Sequence, residues 1–187
     1  WTRPVFLVDK VDFHGEPVAP QVTDSLRRLR RDSADCFLFH GVSTMEGWER
    51  LAAPGGGMEQ LAGCIARGQA RFRGISSHHP DVLLRAIDSG LCDVVMFAVG
   101  PFCDERYTRK VLPLAKARGV GTIGFKAFGA GKLLGDTAGY GKPLAARPRG
   151  KLSSGGVETE GEPSLPRLGV EECLHYALTC DPDVEIL

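Results

Sequence analysis

The sequence predicts an α/β protein built on parallel strands. Three observations carry that expectation: six short apolar runs, segments of helical period between them, and turn residues at the junctions. The runs are Val5–Val8, Cys36–Phe39, Phe72–Ile75, Val94–Phe97, Thr122–Phe125 and Val184–Leu187. Each is apolar on both faces and too short for a helix, which is how a strand covered on both sides of a sheet reads.

The helical segments follow in order. Val22–Arg31 turns Val22, Leu26 and Leu29 inward and sets Arg27, Arg28 and Arg30 outward as a solvated face. Met58–Arg67 stops at Gly68, and Asp81–Ser89 carries Val82, Leu83, Ala86 and Ile87 on one stripe before Gly90. Thr108–Arg118 takes Thr108 as its cap, buries Val111, Leu112 and Ala115, and ends at Gly119. Val170–Thr179 turns Cys173, Leu174, Ala177 and Leu178 inward. One stretch, 136–169, is dense in Gly, Pro, Ser and charge without any period, and is expected to be a long irregular loop within a single domain spanning 1–187.

Across 187 residues, 23 Lys+Arg balance 23 Asp+Glu for a net charge of +0. That balance lacks the electrostatic footprint of a nucleic-acid or membrane-surface binder. No apolar run approaches the roughly 18–20 residues of a membrane helix. Cys36, Cys64, Cys92, Cys103, Cys173 and Cys180 include no C-x-x-C pair. They suggest neither a zinc site nor a disulfide framework, and read as buried free thiols of a reducing, cytoplasmic compartment.

Two glycine patterns fail on context. Gly119-Val-Gly121-Thr-Ile-Gly124 fits G-x-G-x-x-G, but it follows a helix and enters a strand, the reverse of a dinucleotide-binding turn. Gly129-Ala-Gly131-Lys132 has Leu133 where a phosphate loop needs Ser or Thr. His78-His79 offers two adjacent imidazoles, which an extended chain points to opposite faces, so no metal is expected there.

The polar residues at strand ends are more informative. Lys10 follows the first run, His40 the second, Ser76, Ser77 and His78 the third, and Lys126 the fifth. In a parallel αβ barrel all of these ends open on one face, where such groups converge without being neighbours in sequence.

The same residues carry a family resemblance. Asp35-Cys-Phe-Leu-Phe-His40-Gly41-Val42 and Gly68-Gln-Ala-Arg71-Phe-Arg-Gly74-Ile-Ser76-Ser77-His78 resemble the fourth and fifth strands of the aldo/keto reductases. Cys92-Asp-Val-Val-Met96-Phe with Pro101-Phe102 is similar to the sixth. Thr122-Ile-Gly-Phe125-Lys126-Ala-Phe-Gly129-Ala-Gly131-Lys132-Leu133 is similar to the seventh and its loop. Glu172-Cys-Leu-His-Tyr-Ala-Leu with Asp183-Val-Glu-Ile resembles the approach to the eighth.

The resemblance implies a (β/α)8 TIM barrel, here incomplete, with about six of eight strands. It places the first two strands before Trp1 and the last helix after Leu187. It implies NADPH, or sometimes NADH, as cofactor and a small-molecule aldehyde or ketone as substrate. The family's tetrad combines tyrosine, lysine, histidine and aspartate; Lys10 and His40 match the lysine and histidine. The tyrosine and aspartate belong to the first two strands, so the chain alone is expected to be inert. Ser76 and Ser77 match a Ser-Asn pair that binds the nicotinamide carboxamide. Met96 stands where many members have Gln, Phe125 where an aromatic stacks on the nicotinamide, and the backbone of Lys126, Ala127, Phe128 and Gly129 would face the pyrophosphate. The alternative implied by the same likeness is a cofactor-binding regulatory or interaction subunit without turnover.

Overall fold

The structure, a computed structural model, describes residues 5–134, 167–182 and 184–187. The expected loop at 136–169 lies outside the described residues except for its last three. Five strands, β1 (Val8–Val11), β2 (Ala34–Phe39), β3 (Ala70–Ser76), β4 (Val94–Ala98) and β5 (Gly121–Phe125), form one sheet in chain order. The registered pairs β1–β2, β2–β3 and β3–β4 are all parallel. Helices α1 (Val18–Leu29), α2 (Met45–Ala52), α3 (Gly57–Ala66), α4 (Pro80–Asp88), α5 (Leu112–Arg118) and α6 (Val170–Leu178) lie between or after them.

Contacts divide the chain into two compact units. The first holds 1–96 with 114–121, the second 97–113 with 122–187. In the first unit β2 is almost wholly buried, and Phe37, Leu38 and Phe39 are fully covered. α1 covers the sheet with Val18, Val22 and Leu26, an i, i+4 row, and α4 with Val82, Leu83, Ala86 and Ile87. Gly74 is required where β3 meets β4: a Cβ there would fall 1.6 Å from the Val94 carbonyl oxygen.

Several sequence expectations shift. The first strand is Val8–Val11 rather than Val5–Val8, because β2 begins only at Ala34 and its register starts at Val8↔Cys36. Leu7 is tied in through its N–H to Asp35 Oδ2 at 2.7 Å, but Val5 and Phe6 remain exposed. α1 starts four residues earlier than its predicted segment. Its terminal Leu29 is 41% exposed, lining a groove at the outer edge of β1 instead of the core. α2 was not anticipated; Thr44 caps it by accepting from the Gly47 N–H at 3.0 Å.

In the second unit, Thr108 is not a cap. A π-helical turn at Tyr107–Val111 precedes α5. Pro113, lacking an N–H, sits just inside α5, and the widened turn accommodates the missing bond. Tyr107 is fully buried against Phe97, their rings stacked at 5.4 Å. α6 covers only Cys173 and Ala177; Leu178, at its last position, is 57% exposed. Val184–Leu187 forms no strand, only an isolated bridge, Ile123↔Ile186. The Glu185 carboxylate accepts the Thr122 N–H at 2.6 Å and also the Thr122 hydroxyl, taking a donor that a longer ladder would have used.

Candidate functional site

In the first unit the site residues stand at the C-terminal ends of β1 to β4. Asp9 Oδ2 accepts from Ser25 of α1, and Lys10 and Asp12 line with them the groove at the outer edge of β1. Lys10 is registered with Leu38, and the His40 N–H donates to the Val11 carbonyl at 3.0 Å, one residue beyond the end of β2. Lys10 and His40 therefore occupy adjoining ends of two parallel strands. Between them is Asp12, whose Oδ1 lies 2.6 Å from His40 Nδ1. Burial lowers the Lys10 ammonium from its ordinary value, while Asp12 and Asp9 oppose the shift.

Asp12 was missed in the sequence although a signal was present: in Lys10-Val-Asp12, period two keeps both side chains on one face. His14 was missed as well. Its ring meets Phe39 edge-on at 5.6 Å, and its buried Nε2 has no hydrogen-bond partner. Burial holds the His14 imidazole below its usual value, with a hydrogen bond to the His40 backbone acting the other way.

Ser76 ends β3 and Ser77 follows it, both buried. Ser76 Oγ accepts from the Gly41 N–H at 2.9 Å and donates to the Phe39 carbonyl at 3.4 Å. Ser77 Oγ donates to the Val42 carbonyl at 2.7 Å and accepts from the His79 N–H at 3.0 Å. The two hydroxyls thus bind the segment after β2 to the end of β3. Gly41, at φ 64°, makes the turn that brings its N–H to Ser76. Met96 is registered with Ser76 and is half-buried.

The second unit holds Phe125, Lys126, Ala127, Phe128 and Gly129. The first four line a cavity of about 340 Å³ together with Gly124, Gly131, Leu174 and Leu187. Lys126 adopts φ 61°, and Gly129 and Gly131 adopt φ 57° and 87°, so three left-handed residues turn the chain at the end of β5. Lys126 Nζ lies 5.4 Å from the Phe125 ring centroid. A Cβ at Gly100 would come within 2.8 Å of the Ala127 carbonyl oxygen, so the backbone there is closely held.

Neither described tyrosine stands at a strand end: Tyr107 is in the π-helical turn and Tyr176 on α6. Among the described residues no three His, Cys, Asp or Glu side chains gather as a metal site, and no helix is long and apolar enough to cross a membrane.

Residues 4–156 match the model of the aldo/keto reductase family. No curated protein matches the chain. Among solved structures, an aldo-keto reductase from Bacillus halodurans in its holo form is 25% identical with a TM-score of 0.55, over 70% of this chain and 45% of that one. An aldo/keto reductase from Klebsiella pneumoniae in complex with NADP and acetate is 22% identical with a TM-score of 0.53, over 71% and 48%. A putative 2,5-diketo-D-gluconic acid reductase B is 25% identical with a TM-score of 0.54, over 71% and 46%. The chain spans less than half the length of each of these structures. Their fold is a (β/α)8 barrel, represented here in part.

Proposed function

This chain belongs to the aldo/keto reductase family, and from that premise we propose that it serves an oxidoreductase that uses NADPH to reduce a small aldehyde or ketone to an alcohol. The observation that carries the reading is the adjacency of Lys10 and His40 on neighbouring strand ends with Asp12 between them. NADP in the Klebsiella pneumoniae relative supports the choice of cofactor.

The residues present suit such a group. Lys126 supplies a cation, and the left-handed turn through Gly129 and Gly131 leaves backbone without side chains beside it, a combination suited to phosphate. Phe125 supplies an aromatic face for a ring. The bound cofactor would supply hydride; the remaining tasks fall to the chain. His40 holds a hydrogen bond to the substrate oxygen. Lys10 places a partly desolvated cation beside the reaction centre, where it favours an anionic neighbour such as a phenolate. Ser76 and Ser77 floor the carboxamide site. Ser76 is the better donor of the two, since its own bond to Phe39 is long at 3.4 Å whereas Ser77 is committed to Val42 at 2.7 Å. Met96 packs against the ring.

Titration of the chain with NADPH, followed by cofactor fluorescence, tests the reading. Saturable binding is expected, weakened several-fold by Lys126→Ala; no saturable signal overturns cofactor use. An activated aldehyde added with NADPH is expected to leave cofactor absorbance unchanged, because no described tyrosine is placed to donate the proton.

A further inference from the structure

The contact between His40 and Asp12 constrains the protonation of the imidazole. A carboxylate oxygen accepts and cannot donate, so the 2.6 Å approach of Asp12 Oδ1 requires the ring proton on Nδ1. Only Nε2 then remains for any other partner. The ring is 49% exposed, so that nitrogen can be reached. In the neutral ring, Nε2 carries a lone pair and no proton.

We propose that Asp12 is a positioning residue that fixes His40 in the Nδ1–H tautomer, making Nε2 a hydrogen-bond acceptor that takes the hydroxyl of an alcohol in preference to the oxygen of a carbonyl. This rests on the reading of His40 as the group that meets substrate. A carbonyl oxygen is itself only an acceptor, so it needs a second proton on the ring, and the imidazolium is the form suited to reduction. The neutral dyad is suited to the alcohol side of the same reaction. The charged and titratable groups around the ring are Asp12 and His14, and through them Lys10 and Arg50. Asp12 is thereby shared: its charge acts on Lys10 while its oxygen holds His40.

The test reads ring nitrogen shifts in the chain labelled with 15N-histidine, at alkaline pH where imidazoles are neutral. His40 is expected as Nδ1–H. Asp12→Ala should move its tautomer ratio toward Nε2–H by about ten-fold, the scale of one charge-assisted hydrogen bond. Asp12→Asn, which keeps an acceptor and the side-chain shape, should fall between the two. Asp12 is 60% exposed, so neither change removes core packing. An Nε2–H ring in the unaltered chain, or a ratio indifferent to Asp12→Ala, overturns the proposal. In a second arm, propan-2-ol and acetone are compared as probes of equal size. The His40 Nε2 resonance should respond more to the alcohol, and an equal or larger response to acetone refutes the assignment. Neither readout requires NADPH, so a failed cofactor titration with the expected tautomer would count against the reductase reading alone.

Discussion

Substituting Gly74 with alanine should cost more than any other single methyl added to the first unit. The new Cβ would lie 1.6 Å from the Val94 carbonyl oxygen and 2.8 Å from its carbon, both backbone atoms that cannot swing aside. An ordinary carbon-to-oxygen contact is about 3.3–3.6 Å, so β3 and β4 must part by on the order of 1.7–2 Å. That exceeds what a 2.9 Å hydrogen bond tolerates. The registered rows Gly74↔Val94, Ile75↔Val95 and Ser76↔Met96 would all be disturbed. Overpacking at about 1–3 kcal/mol and the loss of one or two ladder bonds at about 1 kcal/mol each give roughly 2–5 kcal/mol. With a urea slope of about 2 kcal/mol per molar, the unfolding midpoint should fall by about 1–2.5 M. Gly68→Ala is the control: its φ of 75° carries left-handed strain, but nothing lies within 4 Å of the added methyl. It should cost only about 1–2 kcal/mol. If circular dichroism in urea gives Gly74→Ala a midpoint loss no larger than the control's, the close approach of β3 and β4 is wrong.

Other consequences are as direct. Ser77→Ala leaves the Val42 carbonyl and the His79 N–H without their buried partner and should destabilise by about 1–3 kcal/mol in the same assay; a neutral result would mean that water replaces the hydroxyl. Burial pushes the Cys36 and Cys92 thiols up to about 12, and Cys64 and Cys173 are also buried, whereas Cys103 and Cys180 are half-exposed. Peptide mapping after brief alkylation of the native chain should find Cys103 and Cys180 modified first; early labelling of Cys36 or Cys92 contradicts the packing. His14 is held below its ordinary value by burial, so the folded state binds fewer protons than the unfolded one. Its contribution is complete above pH 6.5 and lost as pH falls through the lowered folded value. His14→Phe should flatten that acid loss, and superimposable stability curves for the two proteins between about pH 7 and 5 would refute it.

The central strands were legible because burial on both faces leaves them nearly free of polar residues: Cys36–Phe39 and Val94–Phe97 fall within one or two residues of β2 and β4. β1 was misplaced because Asp9 and Lys10 interrupt its apolar pattern. Asp9 is tied to Ser25 of α1 and Lys10 is registered with Leu38, ties that hydropathy does not record. α2 escaped because Gly47 and Glu49 dilute a short amphipathic segment, although Thr44 was available as a cap. Val184–Leu187 has a strand's composition, yet a side chain, Glu185, takes the first ladder position. At the candidate site, Lys10 and His40 stand out by their motifs, whereas Asp12 carries only the weaker signal of period two after Lys10. Asp12 belongs to none of those motifs and acquires its role only when two strand ends separated by 28 residues come together.

The strands of the sheet lie in the order in which the chain is synthesised. Every strand after the first therefore emerges from the ribosome with its neighbour already made, and no segment has to wait for a distant one before it can dock. Each step closes only a short crossover, which keeps the entropy of loop closure small throughout synthesis. Until β2 is translated, β1 lacks its partner on that side, and the contact between Asp12 and His40 forms only when His40 arrives.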